Sequence, residues 1–577
     1  MDRRSSAFGS AYAVLLLCIA VYGFFATGYR PAQTVVTSTF VTFHPAAPGP
    51  AGSGAGALAG TYAPQTVELY QTVDFAAPVP PGQLSGFASL FDVEAVATFT
   101  NPATGDLFVT EAFYDEGADG KAMYRFRFTP TSLGTWSMAT ASNVAALAGL
   151  SGTVQVGAAS DPALYGFLTA DKGRFVAPVA GTGEPRGLVY QVFMHGGSPL
   201  ENLGALPTED AELRAALAHL LDEAAGYGFD AVFVGVWHQW FDLGNSSSDS
   251  HASVEPDPAT FRVLEVLCAL AHERGMFVHI WQWGDEQRRW SPLGIPADVD
   301  FPGDAGGPNG IADRRLQRYI AARLGPLTNW TLGYGFDLFE WADEDQVRSW
   351  AAYLDARMAR PHLLTALEQR RSARSNFDLG ETKLSLVSNA AAAESALATG
   401  AAPSAALYAA AVSALDAARG KPVAFENRYL YLRAGVWTMD EVRRSLWALS
   451  MAGGVAAVWG IDWDLQEAYS HPEQLLTYRR FWDGRLLGEL VSAVHPDGSL
   501  SLLSATGDRG VVYSESTDAV VVPTLPPGTT VHAVDTLAAY EALPVNVPPP
   551  ATARPSASFT WHAPYVSDWA LALDPPR

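Results

Sequence analysis

Cysteine is nearly missing from this chain of 577 residues, which contains only Cys18 and Cys268. Cys18 lies in an apolar N-terminal stretch and Cys268 in a pattern typical of a helix, so a structural disulfide between them is not expected. Cys268 is predicted to be a buried free thiol. The scarcity of cysteine thus excludes a disulfide-stapled scaffold.

Basic residues are also scarce. The chain has 37 Lys and Arg against 60 Asp and Glu, which gives a formal net charge of −23 and a pI near 4.9. Such a field repels the phosphates of nucleic acid, so a nucleic-acid partner is excluded. The charge does not by itself identify a function.

Motifs for metals and nucleotides are missing as well. Asp298, Asp300 and Asp304 crowd a glycine-rich loop, but the closing bidentate glutamate of a calcium loop is absent. The glycine-rich stretch Gly303–Gly310 lacks the Lys-Ser/Thr of a phosphate-binding loop. No metal site and no cofactor are therefore predicted.

Long apolar runs are limited to one, Ala11–Ala26, which follows Arg3 and Arg4. A basic start before roughly 16 apolar residues indicates a secretory signal or a short signal anchor, because a comfortable membrane span needs about 20. Residues 1–28 are assigned to this segment and residues 29–64 to a Pro/Gly/Ala-rich linker. The predicted location is extracellular or at the cell surface, by secretion or through a membrane tether.

Aromatic residues, in contrast, are plentiful, with 16 Trp and 21 Tyr. Flat aromatic rings stack well on the C–H faces of sugar rings, so this surplus fits carbohydrate binding. Filling of the core is the alternative use of the same residues.

Residues 65–160 alternate between apolar and polar side chains over short stretches, for example Ala95–Phe99 and Tyr124–Phe128. Turn residues separate these stretches, and the spacing predicts an antiparallel β-sandwich. After residue 490 a similar pattern returns with Pro/Gly turns, so residues 490–577 are predicted to form a second, C-terminal β-sandwich.

Between these two regions, residues 161–489 show short apolar runs that alternate with stretches of helical periodicity. This is typical of repeated βα units, and eight of them predict a (β/α)8 TIM barrel. The predicted strands are Gly187–Phe193, Asp230–Trp237, Met276–Trp283, Thr331–Leu338, His362–Ala366, Leu384–Asn389, Pro422–Glu426 and Val455–Trp459. The fold class is therefore a multidomain α/β and β protein, with the barrel between two sandwiches.

Carboxylates and aromatic residues follow several of the predicted strands. Because the active sites of such barrels gather at the carboxyl ends of the strands, these residues carry more weight than others. Glycoside hydrolysis needs two carboxyl groups on opposite sides of the scissile bond, so candidates are taken in pairs. Glu340 after the fourth strand and Glu426 at the end of the seventh form the leading pair.

Several segments resemble known glycoside hydrolase domains. Gly333–Trp341, preceded by Asp313–Ile320, resembles the apiosidase-like barrel family. Tyr124–Pro130, with the Gly-Thr-Trp-Ser segment that follows it, resembles the immunoglobulin-like domain that precedes such barrels. The Asp568–Leu571 ending resembles the C-terminal sandwich that follows them. The resemblance implies the sandwich, barrel, sandwich order, with an Ig-like first domain that carries no catalytic residues.

The resemblance also implies catalytic roles. Retaining barrels of the largest glycosidase clan place the acid/base after strand four and the nucleophile after strand seven, which are the places of Glu340 and Glu426. The clan's acid/base usually follows an Asn, whereas Glu340 follows Phe339, so Asp337 is a rival for the acid. The residues predicted to contact the sugar are Trp237, His238, Trp283, Asp285, Asp337, Trp341, Asn427, Arg428 and Trp459.

Three functions compete at this point. The leading one is a retaining glycoside hydrolase that cleaves an extracellular polysaccharide or glycan. The second is a non-catalytic carbohydrate-binding or cell-surface scaffold that keeps the barrel fold, because a fold alone does not fix an activity. A polysaccharide lyase is the third. We also expect Trp283, Trp341 and Trp459 to line an open cleft, since each ends a strand beside a polar residue or a glycine.

Overall fold

The computed structural model describes residues 60–116, 122–182, 185–188, 190–195, 198–244, 255–283, 310–335, 342, 344–366, 382–388, 395–396, 399, 403–427, 438–462, 469–548 and 558–575. At residues 190–195, 238, 385–388, 426–427 and 457–462 the description covers the backbone alone. All described residues belong to one unit, Ala55–Arg577.

Eight strands form the N-terminal region as two sheets around one core. The sheet orders are β1-β8-β7-β3-β4 and β2-β6-β5, and every pairing is antiparallel except that of β1 with β8. Phe99 of β3 stacks on Phe128 of β6 at 4.2 Å between ring centroids, which joins the two sheets. The strands are β1 Gln65–Glu68, β2 Val73–Pro78, β3 Ala95–Asn101, β4 Asp106–Glu111, β5 Phe113–Glu116, β6 Ala122–Phe128, β7 Gly134–Ser142 and β8 Ser151–Gly157.

A small antiparallel sheet follows, in the order β11-β10-β9, which the sequence pattern did not predict. It lies in the part of the chain that was assigned to the barrel. Its strands are β9 Thr169–Asp171, β10 Arg174–Pro178 and β11 Pro185–Arg186.

The central sheet contains eight parallel strands, one for each predicted apolar run. Their order is β16-β15-β14-β13-β12-β19-β18-β17, and every described pairing is parallel. All residues of β13, β14 and β15 are buried, as expected for strands that are covered on both faces. The strands are β12 Tyr190–His195, β13 Ala231–Gly235, β14 Phe277–Trp283, β15 Trp330–Gly335, β16 Leu364–Thr365, β17 Ser385–Ser388, β18 Val423–Asn427 and β19 Val455–Asp462.

The two outer strands of this order, β16 and β17, come close to each other just before β17 begins. The backbone N–H groups of Lys383 and Leu384 both donate to the carbonyl of Leu364, at 3.0 and 3.1 Å. The described residues thus show a mixed α/β fold with several sheets, and the edges of the parallel sheet are linked by hydrogen bonds.

Seven α-helices alternate with the parallel strands in the described part of the chain, and the ends of some follow local sequence signals. In α6 the Thr438 hydroxyl accepts from the Glu441 N–H while the Glu441 carboxylate accepts from the Thr438 N–H. Gly453 ends the same helix at φ 107°, a conformation that favours glycine. The helices are α1 Asp210–Gly226, α2 Pro258–Glu273, α3 Ile311–Arg323, α4 Glu344–Asp355, α5 Pro403–Ala417, α6 Met439–Ala452 and α7 Pro472–Trp482.

One face of α3 attaches the parallel sheet and its helices to the N-terminal sheets. Arg315 makes two hydrogen bonds to the Asp92 carboxylate, at 2.8 and 2.7 Å. The Tyr319 hydroxyl donates to the Tyr114 carbonyl at 2.6 Å. Since positions 315 and 319 are four apart, both residues lie on one side of the helix.

A cluster of charges supports this attachment beside α3. The Glu265 carboxylate of α2 accepts from Arg323 of α3 at 2.7 and 2.9 Å and from Arg127 of β6 at 2.6 Å. Arg127 also makes two hydrogen bonds to Asp74 of β2. Burial would raise the pKa of Glu265, but the two guanidinium groups outweigh it and lower the pKa to about 2.

The C-terminal region differs from its prediction, because its described residues form one antiparallel sheet instead of a sandwich of two. The order is β20-β21-β22-β25-β23-β24. Some of its residues pack against the helices, where Tyr513 stacks on Trp447 of α6 at 5.4 Å. Others, among them Val512 and Trp569, form a separate hydrophobic core within the C-terminal region. The strands are β20 Val491–Val494, β21 Leu500–Leu503, β22 Gly510–Val522, β23 Thr530–Asp535, β24 Leu543–Val545 and β25 Phe559–Asp574.

Asp568 of β25 fastens this sheet to α6. Its carboxylate accepts from Arg443 at 2.6 Å and from Arg444 at 2.7 Å, and Asp568 is 1% exposed. A buried carboxylate of this kind is tolerated only when it is paired, and here two guanidinium groups pair with it.

The predicted signal or anchor segment, residues 1–28, and most of the predicted linker lie outside the described residues. Within the part of the chain that is described, no helix is long and apolar enough to cross a membrane.

Candidate active site at the carboxyl edge of the parallel sheet

The carboxyl ends of the parallel strands meet at one edge of the sheet. Glu426 is the penultimate residue of β18, and its backbone is in register with Ser388 of β17 and Ala457 of β19. The structure therefore places the predicted nucleophile position at the strand ends, where sites in such sheets gather.

Five of the predicted site residues lie outside the described residues: Asp285, Asp337, Glu340, Trp341 and Arg428. For His238, Glu426, Asn427 and Trp459 the backbone alone is described. The separation of the two predicted catalytic carboxyl groups, and with it the choice of Glu340 or Asp337 as the acid, stays a prediction.

Trp237 is the predicted contact residue that the structure leaves half-buried at the strand ends. It follows β13 in a 3-10 turn, Trp237–Trp240, and adopts φ 52°, a left-handed conformation that is costly for a bulky residue. Its ring covers Gly235, where an added Cβ would lie 2.3 Å from the indole. Gly235 is thus the residue that allows Trp237 to fold back over the end of β13.

Hydrogen bonds on both sides hold this turn in place. The buried Gln239 accepts from the Leu203 N–H at 2.8 Å and donates to the Asn202 side chain at 2.7 Å. The Trp240 indole donates to the Gln282 carbonyl of β14 at 2.8 Å. The backbone of the turn that carries His238 is therefore fixed against both the preceding loop and the neighbouring strand.

The prediction that Trp283 lines an open cleft is wrong. It is 1% exposed, and Phe241 stacks against it at 6.4 Å between ring centroids. Its indole N–H has no hydrogen-bond partner among the described residues. The sequence placed Trp283 correctly at the end of a strand, but Phe241, which follows the Trp237–Trp240 turn, covers it.

Beneath Trp283, two aromatic residues of β14 fill the interior. Trp281 is fully buried and contacts His279 edge-to-face at 4.7 Å. The only hydrogen bond described for His279 joins its Nδ1 to the Thr331 hydroxyl at 2.6 Å, and burial lowers the pKa of His279 to about 3. His279 is thus neutral in the physiological range and supports the floor of the site without adding charge.

The structure also brings together two positions that the sequence reasoning did not pair. His195 ends β12, and its backbone is in register with Asp462, the last residue of β19. The first strand was expected to end at Phe193, so His195 was not considered. A search for polar residues up to two positions beyond each predicted strand end would have identified His195.

Metal ligands do not cluster in the described parts of the chain, where no three His, Cys, Asp or Glu side chains are grouped to hold an ion. The loop with Asp298, Asp300 and Asp304 lies outside those residues.

Comparison of structures gives the clearest relationship. A putative glycoside hydrolase from Bacteroides vulgatus superimposes with a TM-score of 0.61 at 15% identity, over 88% of this chain and 100% of that one. The two proteins share a fold. A family 5 glycoside hydrolase from the same organism gives a TM-score of 0.49 at 11% identity, over 71% and 93% of the two chains, which is too low to add to the argument. No family model matches the sequence, and no curated protein matches it.

Proposed function

We propose that this protein is a retaining glycoside hydrolase that acts on an extracellular polysaccharide or glycan. The observation that carries the proposal is the fold shared with the Bacteroides vulgatus protein along most of the chain. The position of Glu426 at the carboxyl end of the seventh parallel strand agrees with it. Export through the N-terminal apolar segment is part of the same proposal.

The architecture we propose is a (β/α)8 barrel between an Ig-like domain and a C-terminal β-domain. The strand order reads fifth to first, then eighth to sixth, which is the order around a barrel opened between its fifth and sixth strands. The two hydrogen bonds from Lys383 and Leu384 to Leu364 span that opening and support closure.

In the proposed mechanism, Glu426 attacks the anomeric carbon while Glu340 protonates the leaving oxygen. The C–O bond to the leaving group breaks as the bond to the Glu426 carboxylate forms, which gives a glycosyl-enzyme. Water, deprotonated by Glu340, then displaces Glu426 and restores the original anomeric configuration. Asp337 takes the acid role in the alternative assignment.

Half-buried Trp237 supports a sugar-binding role for this edge. Its strained backbone and the hydrogen bonds around its turn keep an aromatic side chain at the strand ends instead of in the core. Strained residues of this kind concentrate at ligand sites, so we propose that Trp237 contacts the substrate together with His238.

The experiment that tests the proposal is a screen of aryl glycosides and polysaccharides with the full chain and with Glu426→Gln. We expect the wild type to turn over at least one substrate and Glu426→Gln to lose at least about a thousandfold in kcat, because the nucleophile is removed. Glu273→Gln, an exposed glutamate at the end of α2, is the control and should keep full activity. Full activity of Glu426→Gln would refute the proposed role.

A further inference from the structure

A groove lies between helix α5 and the C-terminal sheet. Its volume is about 810 Å³, within the range of pockets that hold small molecules. Residues of α5, α6 and β20–β22 line it, and none of the lining residues belongs to the parallel strands β12–β19. The groove is therefore a separate feature from the proposed active site.

Small side chains keep the groove open. Ala405 and Ala409 lie one turn apart on α5, so they share the face that borders the groove, and Ala448 of α6 and Gly498 of the turn after β20 complete the small-residue lining.

Polar residues border one end of the groove. Tyr513, one of the lining residues, is 1% exposed, and its hydroxyl has no hydrogen-bond partner among the described residues. Such an orphaned buried group costs about 1–3 kcal/mol. The neighbouring Glu515 lies near Ser404 and 3.7 Å from Arg444, and burial raises the pKa of its carboxyl group.

The charge of the lining restricts the ligand. Among the described residues that line the groove, the two with formal charge are Asp497 and Glu515, both acidic, so an anion is disfavoured. Carboxyl, phenol and serine groups suit a ligand that both donates and accepts hydrogen bonds, and the Ala and Val side chains suit C–H faces. A neutral, hydroxyl-rich ligand has both properties.

We propose that this groove is a second saccharide-binding site, which takes a neutral oligosaccharide of two to four sugar units. The proposal rests on the proposed function, since it assumes that the chain meets glycans. A ligand held there would hydrogen-bond to the partly exposed carboxyl group of Glu515 and pack against Ala405 and Ala409. Such a site would keep a polymeric substrate bound while the active site releases product.

The test is calorimetric titration of the full chain carrying Glu426→Gln, with neutral di- to tetrasaccharides as probes. We expect two sites per chain. Ala409→Trp, added to that chain, should weaken binding at one site more than tenfold because the indole fills the groove, and Glu515→Gln should weaken it about tenfold. Ala215→Trp, the same substitution at an exposed position of α1, is the control and should keep both sites.

The outcomes separate this proposal from the proposed function. Saccharide binding that Ala409→Trp abolishes supports the groove site even if no substrate is ever hydrolysed. Hydrolysis by the wild type together with a single binding site that is insensitive to Ala409→Trp overturns the groove site alone. Groove binding of an alkyl diamine such as putrescine, with no saccharide bound, also overturns it, since the ligand would then be an organic cation. A thermal unfolding midpoint and a circular dichroism spectrum that match those of the Glu426→Gln chain show that the Ala409→Trp variant is folded.

Discussion

At the scale of single residues, Gly333 decides how the interior of the parallel sheet is filled. Gly333 on β15 is in register with Trp281 on β14, and a Cβ at position 333 would lie 2.2 Å from the Trp281 ring. Glycine is needed at position 333 because the Trp281 indole occupies the space where a side chain at that position would lie. A run such as Leu-Gly-Tyr-Gly in an apolar strand thus marks close approach of a large neighbour.

We predict that Gly333→Ala destabilises the protein by about 1–3 kcal/mol, because the methyl group forces Trp281 out of its position. The lowering of the thermal unfolding midpoint measures the effect. Gly226→Ala is the matched control, since a Cβ there meets nothing within 4 Å, and it should leave the midpoint nearly unchanged. Equal midpoints for the two variants would contradict this account of the interior.

His279 predicts a dependence of stability on pH. Its pKa is lowered by burial to about 3, whereas in the unfolded chain it is about 6.5, so unfolding takes up a proton at any pH between these values. The contribution is complete above pH 6.5 and is lost as the pH falls toward 3. We expect a loss of about 1.4 kcal/mol per pH unit in the free energy of unfolding from this residue.

The variant His279→Gln should show a shallower pH dependence between pH 6.5 and 4, by one proton. Urea unfolding followed by tryptophan fluorescence at several pH values measures the slope. The same substitution at the exposed His219 of α1 is the control. A slope that is unchanged in His279→Gln would show that this histidine is protonated in the folded protein.

At the scale of elements, two segments that resemble glycoside hydrolase domains join parts of the chain. Arg315 and Tyr319, in the segment Asp313–Ile320, bind the N-terminal sheets. Asp568, in the C-terminal segment, binds Arg443 and Arg444. The structure thus places both segments at contacts between separate sheets and helices. The sequence did not reveal this role, because a charged side chain is more often solvated than buried in an interface.

The Glu265 cluster allows a test of this attachment. We predict that Glu265→Gln destabilises the protein by about 3 kcal/mol or more, because Arg127 and Arg323 then keep their charge in a largely buried place without their shared carboxylate. Chemical unfolding measures the change. We expect this loss in the free energy of unfolding because the ion pairs of Glu265 with Arg127 and Arg323 are largely buried.

Glu273→Gln provides the matched control, because it is the same substitution on the same helix. Glu273 pairs with Arg214, but both side chains are about half exposed, at 57% and 48%. Exposed pairs contribute about 0–1 kcal/mol, so this variant should be nearly as stable as the wild type. A similar loss in both variants would show that the Glu265 cluster adds nothing beyond a surface ion pair.

At the scale of the whole molecule, the order of the parts followed from periodicity. Each of the eight predicted apolar runs overlaps a parallel strand, although several strands begin or end outside the predicted bounds. Helix α6 begins with a capping box and ends at a glycine, so local sequence signals mark its ends. Periodicity could not predict which residues or elements pack against a given face of a strand or sheet. Trp283 lies under Phe241, and the C-terminal sheet packs on helices, and both depend on contacts between residues that are distant in sequence.

For the catalytic residues, only the location of Glu426 at a strand end could be predicted from the sequence. The strand pattern places Glu426 at the carboxyl end of β18, as the structure does, since this depends on local alternation alone. The distance to Glu340 depends on the position of residues beyond β15, which short-range patterns do not fix. The pair is therefore a hypothesis that kinetics must test.

The most direct test of the central claim is azide rescue of Glu426→Ala, with the product followed by NMR. If Glu426 is the nucleophile, turnover should be lost, and azide should restore part of it and give a glycosyl azide of inverted configuration, because the anion attacks from the face that the carboxylate left. Glu340→Ala should instead still cleave activated aryl glycosides, whose leaving groups need little protonation. No rescue and full activity of Glu426→Ala would contradict the account, whereas loss of activity in Asp337→Asn but not in Glu340→Ala would assign the acid to Asp337.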